Sequence, residues 1–458
     1  MNAFSNLKLS PALTQGLDAL GYTQMTPVQA QGLPPILAGR DLIAQAPTGS
    51  GKTAAFGLGL LQRLDVSRIR AQALVLCPTR ELADQVAKEI RKLATGIPNL
   101  KVLLLTGGIS LRPQLASLAQ HPPQVVVGTP GRIQELLRQQ ALDLAGVRTL
   151  VLDEADRMLD MGFEEEIREI AGKLDRNRQT LLFSATWPPA IDAIARSLMR
   201  DPAQVTVAAA VEQPVVEQIF HEVEATQKPA ALAALLLAHR PESAVVFCNM
   251  RRDTEELAGA LNALGFAALT LHGDMEQRDR DETLLRFANG SCNLLLASDV
   301  AARGLDIKQL AAVINYELPT DPDVYLHRIG RTARAGRGGL ALSLVGAREM
   351  PRAHALLDRY PGLIRWARLE PLRARPANVP QAGMATLCID AGKTDKLRAG
   401  DILGALTGEA GLPGDAIGKI DIFPTRSYVA IRRDLMPQAQ QRLNTGKIKG
   451  RSFRVRKI

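Results

Sequence analysis

The chain predicts an α/β architecture, two tandem parallel-sheet domains followed by a small α+β domain. Three observations carry this expectation. Short apolar, β-branched runs alternate with longer amphipathic stretches; the alternation is run through twice; and beyond a proline-rich break the order changes to β-α-β-β-α-β. With 458 residues, 46% hydrophobic and 22% charged, the chain has the length for two or three cores and the composition of a globular protein. No apolar run reaches the length of a membrane span, and Met1 to Ser10 lack the basic and apolar regions of a secretory signal.

In the first domain, taken as 1–208, the runs at 73–77, 102–106, 124–128, 149–153 and 179–184 read as strands buried on both faces. Amphipathic stretches such as 81–94 supply the crossover helices. The second set of strands falls at 243–248, 267–271, 293–298, 312–316 and 339–344, within a domain taken as 215–370. The stretch 208–218, with Pro214, reads as the linker. Pro371, Pro376 and Pro380 mark a second break, up to Gly383. The last domain, 384–458, has strands at 385–390, 417–423, 427–432 and 452–456 and helices at 396–407 and 437–444. That order is the split βαβ arrangement of RNA-recognition motifs.

The strongest chemical signal is the run Ala46, Pro47, Thr48, Gly49, Ser50, Gly51, Lys52, Thr53. It follows a short apolar run and precedes a helical one, the setting of a phosphate-binding loop. Its glycines let backbone N–H groups close around a phosphate at the positive end of the helix. Lys52 would reach the β- and γ-phosphates of ATP, and the Thr53 hydroxyl would ligate Mg²⁺. Ala46 stands where the usual loop has its first glycine. Asp153 and Glu154 follow at the end of a strand. A carboxylate there can hold Mg²⁺ through water, and its neighbour can polarise the attacking water. An Asp-Glu pair by itself would be a solvated turn; behind a phosphate loop it is a catalytic candidate.

The run Asp153-Glu154-Ala155-Asp156 resembles the motif that names the DEAD-box RNA helicases, and further family motifs follow in order. The resemblance implies two RecA-like domains, ATP hydrolysis with Mg²⁺, and local rather than processive duplex separation as ATP and RNA close the domains. Gly21 to Gln29 resembles the family's Q motif, with Phe4 upstream, and implies that Gln29 reads the adenine edge while Tyr22 stacks on the ring. The runs containing Arg80, Gly108, and Thr129 with Arg132 resemble the RNA-backbone motifs of the first domain. Ser184 and Thr186 match the motif that couples hydrolysis to RNA separation, a role in which Asp156 and His327 are placed with them.

In the second domain, Gln277 and Arg280 match RNA contacts. The run 298–306 is similar to the fifth motif, implying nucleotide contacts from Gly304 and Asp306, with Ser298 where threonine is usual. Arg331 and Arg334 are three apart and share a face if helical. The resemblance makes them arginine fingers on the γ-phosphate. The catalytic set is thus Lys52, Asp153, Glu154, Arg331 and Arg334.

The last domain resembles the RNA-binding domain of a bacterial branch of this family. That implies action on a large-subunit ribosomal RNA hairpin near the peptidyl-transferase centre and on pre-50S particles. Charge agrees with a polyanion partner: the domain has 14 Lys+Arg against 7 Asp+Glu, within a chain of net charge +9. An aromatic stacking platform is poorly provided, since the central strands offer Tyr428 but Ile431 where a second ring would help. Lys419, Arg426, Tyr428, Lys447, Lys449, Arg451 and Arg454 are the candidate RNA contacts, through basic loops more than through stacking.

The cysteines, Cys77, Cys248, Cys292 and Cys388, are widely separated and predict reduced thiols in a cytoplasmic protein, without a metal site. A monomer with no membrane partner is expected. Two other readings compete with the ribosomal one: a general RNA helicase without ribosomal preference, and an ATP-gated RNA clamp in which unwinding is incidental.

Overall fold

The computed structural model describes residues 3–47, 49–207, 216–299, 310–332, 338–370, 375, 378–408 and 411–458. The chain divides into two compact units, one within Met1–Glu212 and the other from Gln213 onward. The strands of the first unit are β1 (Leu42–Gln45), β2 (Ala73–Leu76), β3 (Val102–Leu105), β4 (Val125–Gly128), β5 (Thr149–Leu152), β6 (Gln179–Ser184) and β7 (Ala203–Thr206). They form one seven-stranded sheet in the order β3-β4-β2-β5-β6-β1-β7, parallel throughout. Side chains alternate across it. Ala73 and Val75 of β2 enter one apolar core, Leu74 and Leu76 the other. Covering both faces explains why these strands read as unbroken apolar runs. Because the strands are parallel, the loops that follow β1, β2, β3, β4, β5 and β6 emerge at a single edge, the usual position for a ligand on an open α/β sheet.

The second unit repeats the plan. Its strands are β8 (Val216–Glu222), β9 (Ala244–Cys248), β10 (Ala268–Leu271), β11 (Leu294–Ser298), β12 (Ala312–Asn315), β13 (Gly339–Val345) and β14 (Ile364–Trp366). Their order is β10-β11-β9-β12-β13-β8-β14. The first of them is a correction to the sequence reading, which runs the linker to Gln218. The polar residues of β8 conceal it: Gln218 accepts a hydrogen bond from the buried Tyr325 hydroxyl at 2.9 Å, and the ring Nδ1 of His221 is paired with the Ala367 carbonyl at 3.0 Å. Buried polar groups that find partners cost little, yet they erase the apolar signature.

A four-stranded antiparallel sheet closes the chain, with β15 (Met384–Ile389), β16 (Ile417–Ile422), β17 (Ser427–Arg432) and β18 (Val455–Lys457) in the order β16-β17-β15-β18. Two boundaries differ from expectation. The last strand begins at Val455, because Ile448 and Arg451 are bridged in a turn before it. The first helix begins at Ala399, because Lys396 has a φ of 60° and cannot continue a right-handed helix.

One face of this sheet (Leu387, Ile389, Val429, Ile431) packs on its own two helices. The other packs on the preceding domain. Tyr428 and Cys388 contact Leu285 of the helix Gln277–Ala288. Thr386 Oγ1 donates to Ser291 Oγ at 2.7 Å and accepts from Asn289 Nδ2 at 3.0 Å. The proline-rich segment is held there too. Val379 is in the core of the second sheet domain, and Asn293 and Gln381 side chains bond Pro380 O and Gly265 O.

Leu285, Cys388 and Tyr428 form an apolar centre to this seam, and burying a carboxylate in it would cost desolvation even with Arg456 at its margin. We expect Leu285→Glu to speed amide exchange of the helix Gln277–Ala288 and of β17 by at least about tenfold, without altering exchange in residues 3–207. Unchanged protection of β17 would contradict the seam.

Candidate functional site

The edge of the first sheet collects the phosphate loop and the acidic strand end. Ala46 N donates to Ser184 O at 3.0 Å, which fixes the start of the loop to the end of β6. Gly49 and Gly51 take φ values of 81° and 92°, a region closed to most side chains, and Gly51 is the N-cap of the helix Lys52–Gln62. A Cβ at Gly51 would also lie 2.4 Å from Gln29 Nε2. Lys52 is buried, and its ammonium donates to Ala46 O at 2.8 Å. Thr53 is half-buried in the first helical turn. Among the described residues Ser50 Oγ is buried with no hydrogen-bond partner, a donor available to a ligand oxygen.

Gln29 binds this loop to the helix Pro27–Leu37. Its side-chain oxygen accepts from Thr26 N at 2.9 Å, and its Nε2 donates to Gly51 O at 3.0 Å. Tyr22 stacks on Phe4 with ring centroids 6.2 Å apart and donates through its hydroxyl to Glu89 at 3.1 Å.

Asp153 and Glu154 follow β5. Asp153 is 3% exposed, and its N–H donates to Leu76 O at 3.0 Å. Burial pushes its carboxyl up to about 7; Lys52 opposes the shift and Glu154 adds to it. Glu154 is a non-glycine residue at a φ of 53°, and it pairs with buried Arg157 at 2.6 Å. Asp156 is the most heavily bonded of the group. Its Oδ2 accepts from Ala185 N (3.1 Å), Thr186 N (2.8 Å) and Thr186 Oγ1 (2.8 Å), and its Oδ1 from Arg157 N (3.0 Å). Burial alone would raise its carboxyl, but these donors and the charge of Lys52 hold it below the usual carboxylate range. Ser184 Oγ donates to Thr186 O at 2.6 Å. The structure therefore brings Asp156, Ser184 and Thr186 into one bonded unit.

The donor set suits a small divalent cation with phosphate and water ligands: one buried carboxylate in need of positive charge, and one hydroxyl at a helix start. Among the described residues there is no cluster of three or more His, Cys, Asp or Glu that would hold a metal by protein ligands alone.

The RNA-motif residues of the first unit share the same sheet edge. The Arg80 guanidinium lies so close to Gly108 that a Cβ there would overlap it. Thr129 is the N-cap of the helix Pro130–Arg138 that follows β4, and Arg132 NH2 donates to Ile109 O at 3.1 Å, with its NH1 buried and unpartnered among the described residues. In the second unit Gln277 begins its helix and bonds Asp281, and Arg280 NH1 donates to His272 O at 3.2 Å. His327 lies in the helix Pro322–Ile329, which ends before Arg331. Arg331 is thus in the turn beyond the helix, not on a helical face. Thr48, Gly304, Asp306 and Arg334 lie outside the described residues.

In the C-terminal domain Lys419, Lys447, Lys449, Arg451 and Arg454 are exposed. Arg426 is half-buried, with its Nε 3.7 Å from Asp390. Tyr428 is a correction as a candidate contact: it is 5% exposed, in the seam described above.

Sequence reasoning missed two buried arginines. Arg157 holds Glu154. Arg328 is bonded to both oxygens of Asp299 (2.7 and 2.6 Å) and to Asn249, Asn315 and Glu317 O. A buried guanidinium within a motif rich in arginine carries no signal of its own.

Comparison with known proteins agrees with this geometry. Residues 26–194 match the DEAD/DEAH box helicase family, 227–336 the helicase conserved C-terminal domain, and 386–457 the DbpA RNA binding domain. The chain is 53% identical over 457 residues to the ATP-dependent RNA helicase DbpA of Escherichia coli K12, covering 100% of this chain and 99% of that protein. It is 44% identical over 350 residues to the DEAD-box ATP-dependent RNA helicase CshA of Bacillus cereus, covering 76% of this chain and 66% of that one. Among solved structures, Saccharomyces cerevisiae Dbp5 bound to RNA and ADP BeF3 is similar with a TM-score of 0.72 and 31% identity, over 81% of this chain and 96% of that one.

The Asp153 carboxyl yields a pH prediction. Its folded value lies above its unfolded one, so it contributes stability below the unfolded value near 3.8, and that contribution is lost as pH rises through about 7. We expect Asp153→Asn to stabilise the ligand-free protein at pH 8 by at least about 1 kcal/mol, a gain that vanishes toward pH 4. Urea unfolding at the two pH values checks this. A pH-independent difference would contradict it.

Proposed function

We propose a specific task for this chain, which belongs to the DEAD-box ATP-dependent RNA helicases: it remodels large-subunit ribosomal RNA during assembly of the 50S subunit. The observation that carries the reading is the likeness to a DbpA over the whole chain, RNA-binding domain included. The CshA match covers only 76% of the chain. The target is a hairpin near the peptidyl-transferase centre, reached in pre-50S particles by a cytoplasmic monomer.

The family hydrolyses ATP, and the residues divide the work. Lys52, freed from Ala46 O, would bind the β- and γ-phosphates beside the backbone from Ala46 to Thr53, Thr48 included. Tyr22 would stack on the adenine and Gln29 would read its edge. Thr53, and Asp153 through water, would hold Mg²⁺, whose charge offsets that of the phosphates. That charge would favour the ionised form of Asp153. Glu154 orients and polarises the attacking water, and its ion pair with Arg157 fixes its carboxylate in place. Gly304 and Asp306 contribute nucleotide contacts, and Arg331 and Arg334 neutralise the charge that builds on the γ-phosphate.

RNA lies along Arg80, Gly108, Thr129 and Arg132 in the first domain and Gln277 and Arg280 in the second. Closure of the two domains around ATP and RNA bends one strand and separates a short duplex locally. Asp156, Ser184, Thr186 and His327 link that closure to hydrolysis. The C-terminal domain raises the local concentration of the substrate, so the helicase domains need little sequence preference.

Steady-state ATPase activity tests the assignment. We expect a ribosomal fragment containing the hairpin to stimulate half-maximally at a concentration at least about tenfold below that of unrelated structured RNA. Equal stimulation would leave a general RNA helicase. Glu154→Gln should abolish turnover; if that variant still supported subunit assembly, the protein would be acting as a clamp.

A further inference from the structure

The connection from β6 to the helix Pro189–Leu198 consists of Ala185, Thr186, Trp187 and Pro188 alone. Its near half is held by Asp156, whose Oδ2 accepts from Ala185 N, Thr186 N and Thr186 Oγ1. Its far half is held by a different pair. The Trp187 side chain is half-buried and packs against the apolar core that contains Leu152, Met158 and Ile191. Its indole Nε1 donates to Asp192 Oδ1 at 2.7 Å. Asp192 is in the first turn of the helix Pro189–Leu198, so this bond ties the end of the connection to the helix that it enters.

Little slack remains between the two attachments. Pro188 is the N-cap of that helix, with φ −70° and ψ 156°, and Pro189 is its first residue. Each proline ring fixes its own φ and keeps the residue before it out of the helical region. Neither proline has an N–H, so the donor at this corner is the indole. Ile191 N donates to Pro188 O at 2.9 Å and closes the first turn. The core beneath Trp187 includes Met158, from the helix Ala155–Asp160 that also carries Asp156. Any displacement of Thr186 relative to Asp156 must therefore strain the proline pair, break the indole bond or move the helix Pro189–Leu198. A half-buried indole seeks a hydrogen-bond partner wherever it lies. This one follows Thr186 directly, on a connection that cannot absorb movement.

We propose that Trp187 and Asp192 are positioning residues for the coupling loop. Their bond fixes the far end of the loop, so that Ala185 and Thr186 meet Asp156 in register and a movement at Thr186 is passed to the helix Pro189–Leu198 instead of being lost in the connection. Neither residue touches ATP or RNA in this account; both act through Thr186. That the loop couples hydrolysis to strand separation rests on the family reading above, and that Trp187 and Asp192 anchor it rests on the bond.

The test uses the full chain and a short RNA duplex joined to the ribosomal hairpin fragment, with ATP hydrolysis and strand separation followed together at saturating RNA. W187F keeps a ring in the core and removes the N–H; D192A removes the acceptor. D192N takes the same charge from the helix start but keeps an oxygen that can accept. We expect W187F and D192A each to lower strand separation per ATP hydrolysed by at least about threefold, with kcat and KM for ATP within about twofold of the parent, the double variant no worse than either single one, and D192N close to the parent. Thermal unfolding confirms that the variants fold. Unchanged strand separation per ATP in W187F and D192A, equal losses of hydrolysis and separation, or a D192N as impaired as D192A would overturn the anchor. T186A separates the two failures. If T186A uncouples and W187F does not, the anchor alone is wrong; if neither uncouples, the coupling role of the loop fails with it.

Discussion

The carboxylate of Asp156 is the constraint on which the ATP-facing edge depends. It accepts four hydrogen bonds, three of them from Ala185 and Thr186 at the end of β6. The strands β5 and β6 are already neighbours in the sheet, but pairing fixes only their backbones. Asp156 joins the loops beyond them, one carrying Asp153 and Glu154, the other Ser184 to Thr186. The phosphate loop enters the same unit, because Ala46 N bonds Ser184 O. A shift in any of these loops must be felt by the other two. Charge-assisted bonds from fixed backbone donors are strong, and leaving such a carboxylate buried without them would be costly. Asp156 is therefore held ionised where burial would otherwise neutralise it.

Around that unit the reactive groups are engaged in internal bonds. Lys52 is bonded to Ala46 O, Gln29 to Gly51 O, and Glu154 to Arg157. Each bond keeps a buried polar group satisfied until a ligand offers a better partner. At Asp153 burial outweighs the help of Lys52 and of a backbone hydrogen bond from Glu154, and its carboxyl rises to about 7. Ser50 Oγ and Arg132 NH1 have no partner among the described residues. These two lie where phosphate and RNA are expected, although other unpartnered atoms, such as Asn293 Oδ1 and Tyr360 Oη, lie elsewhere; the satisfied groups at this edge are set to exchange partners with a ligand.

Much of this was legible in the sequence because its causes are local. A phosphate loop needs glycines at positive φ, and a fully buried parallel strand needs an unbroken apolar run; both leave marks on adjacent residues. The bond between Asp156 and Thr186 links positions thirty residues apart in the chain; the family resemblance grouped the two in one role without suggesting that they touch. β8 was hidden by Gln218 and His221, whose burial is tolerated through partners more than a hundred residues away. Tyr428 was misjudged for a related reason. An aromatic on a central strand of an RNA-recognition fold reads as exposed until Leu285, on another domain, is found against it.

The most direct test of the coupling is Asp156→Asn, which keeps the shape and removes the charge. ATP hydrolysis and strand separation should be measured on the same duplex at saturating RNA. Loosening the joint between the two loops should lower unwinding per ATP hydrolysed by about tenfold or more, with ATP binding retained. Loss of hydrolysis and unwinding in equal proportion would mean that Asp156 merely supports the active site, and the coupling would have to be carried elsewhere.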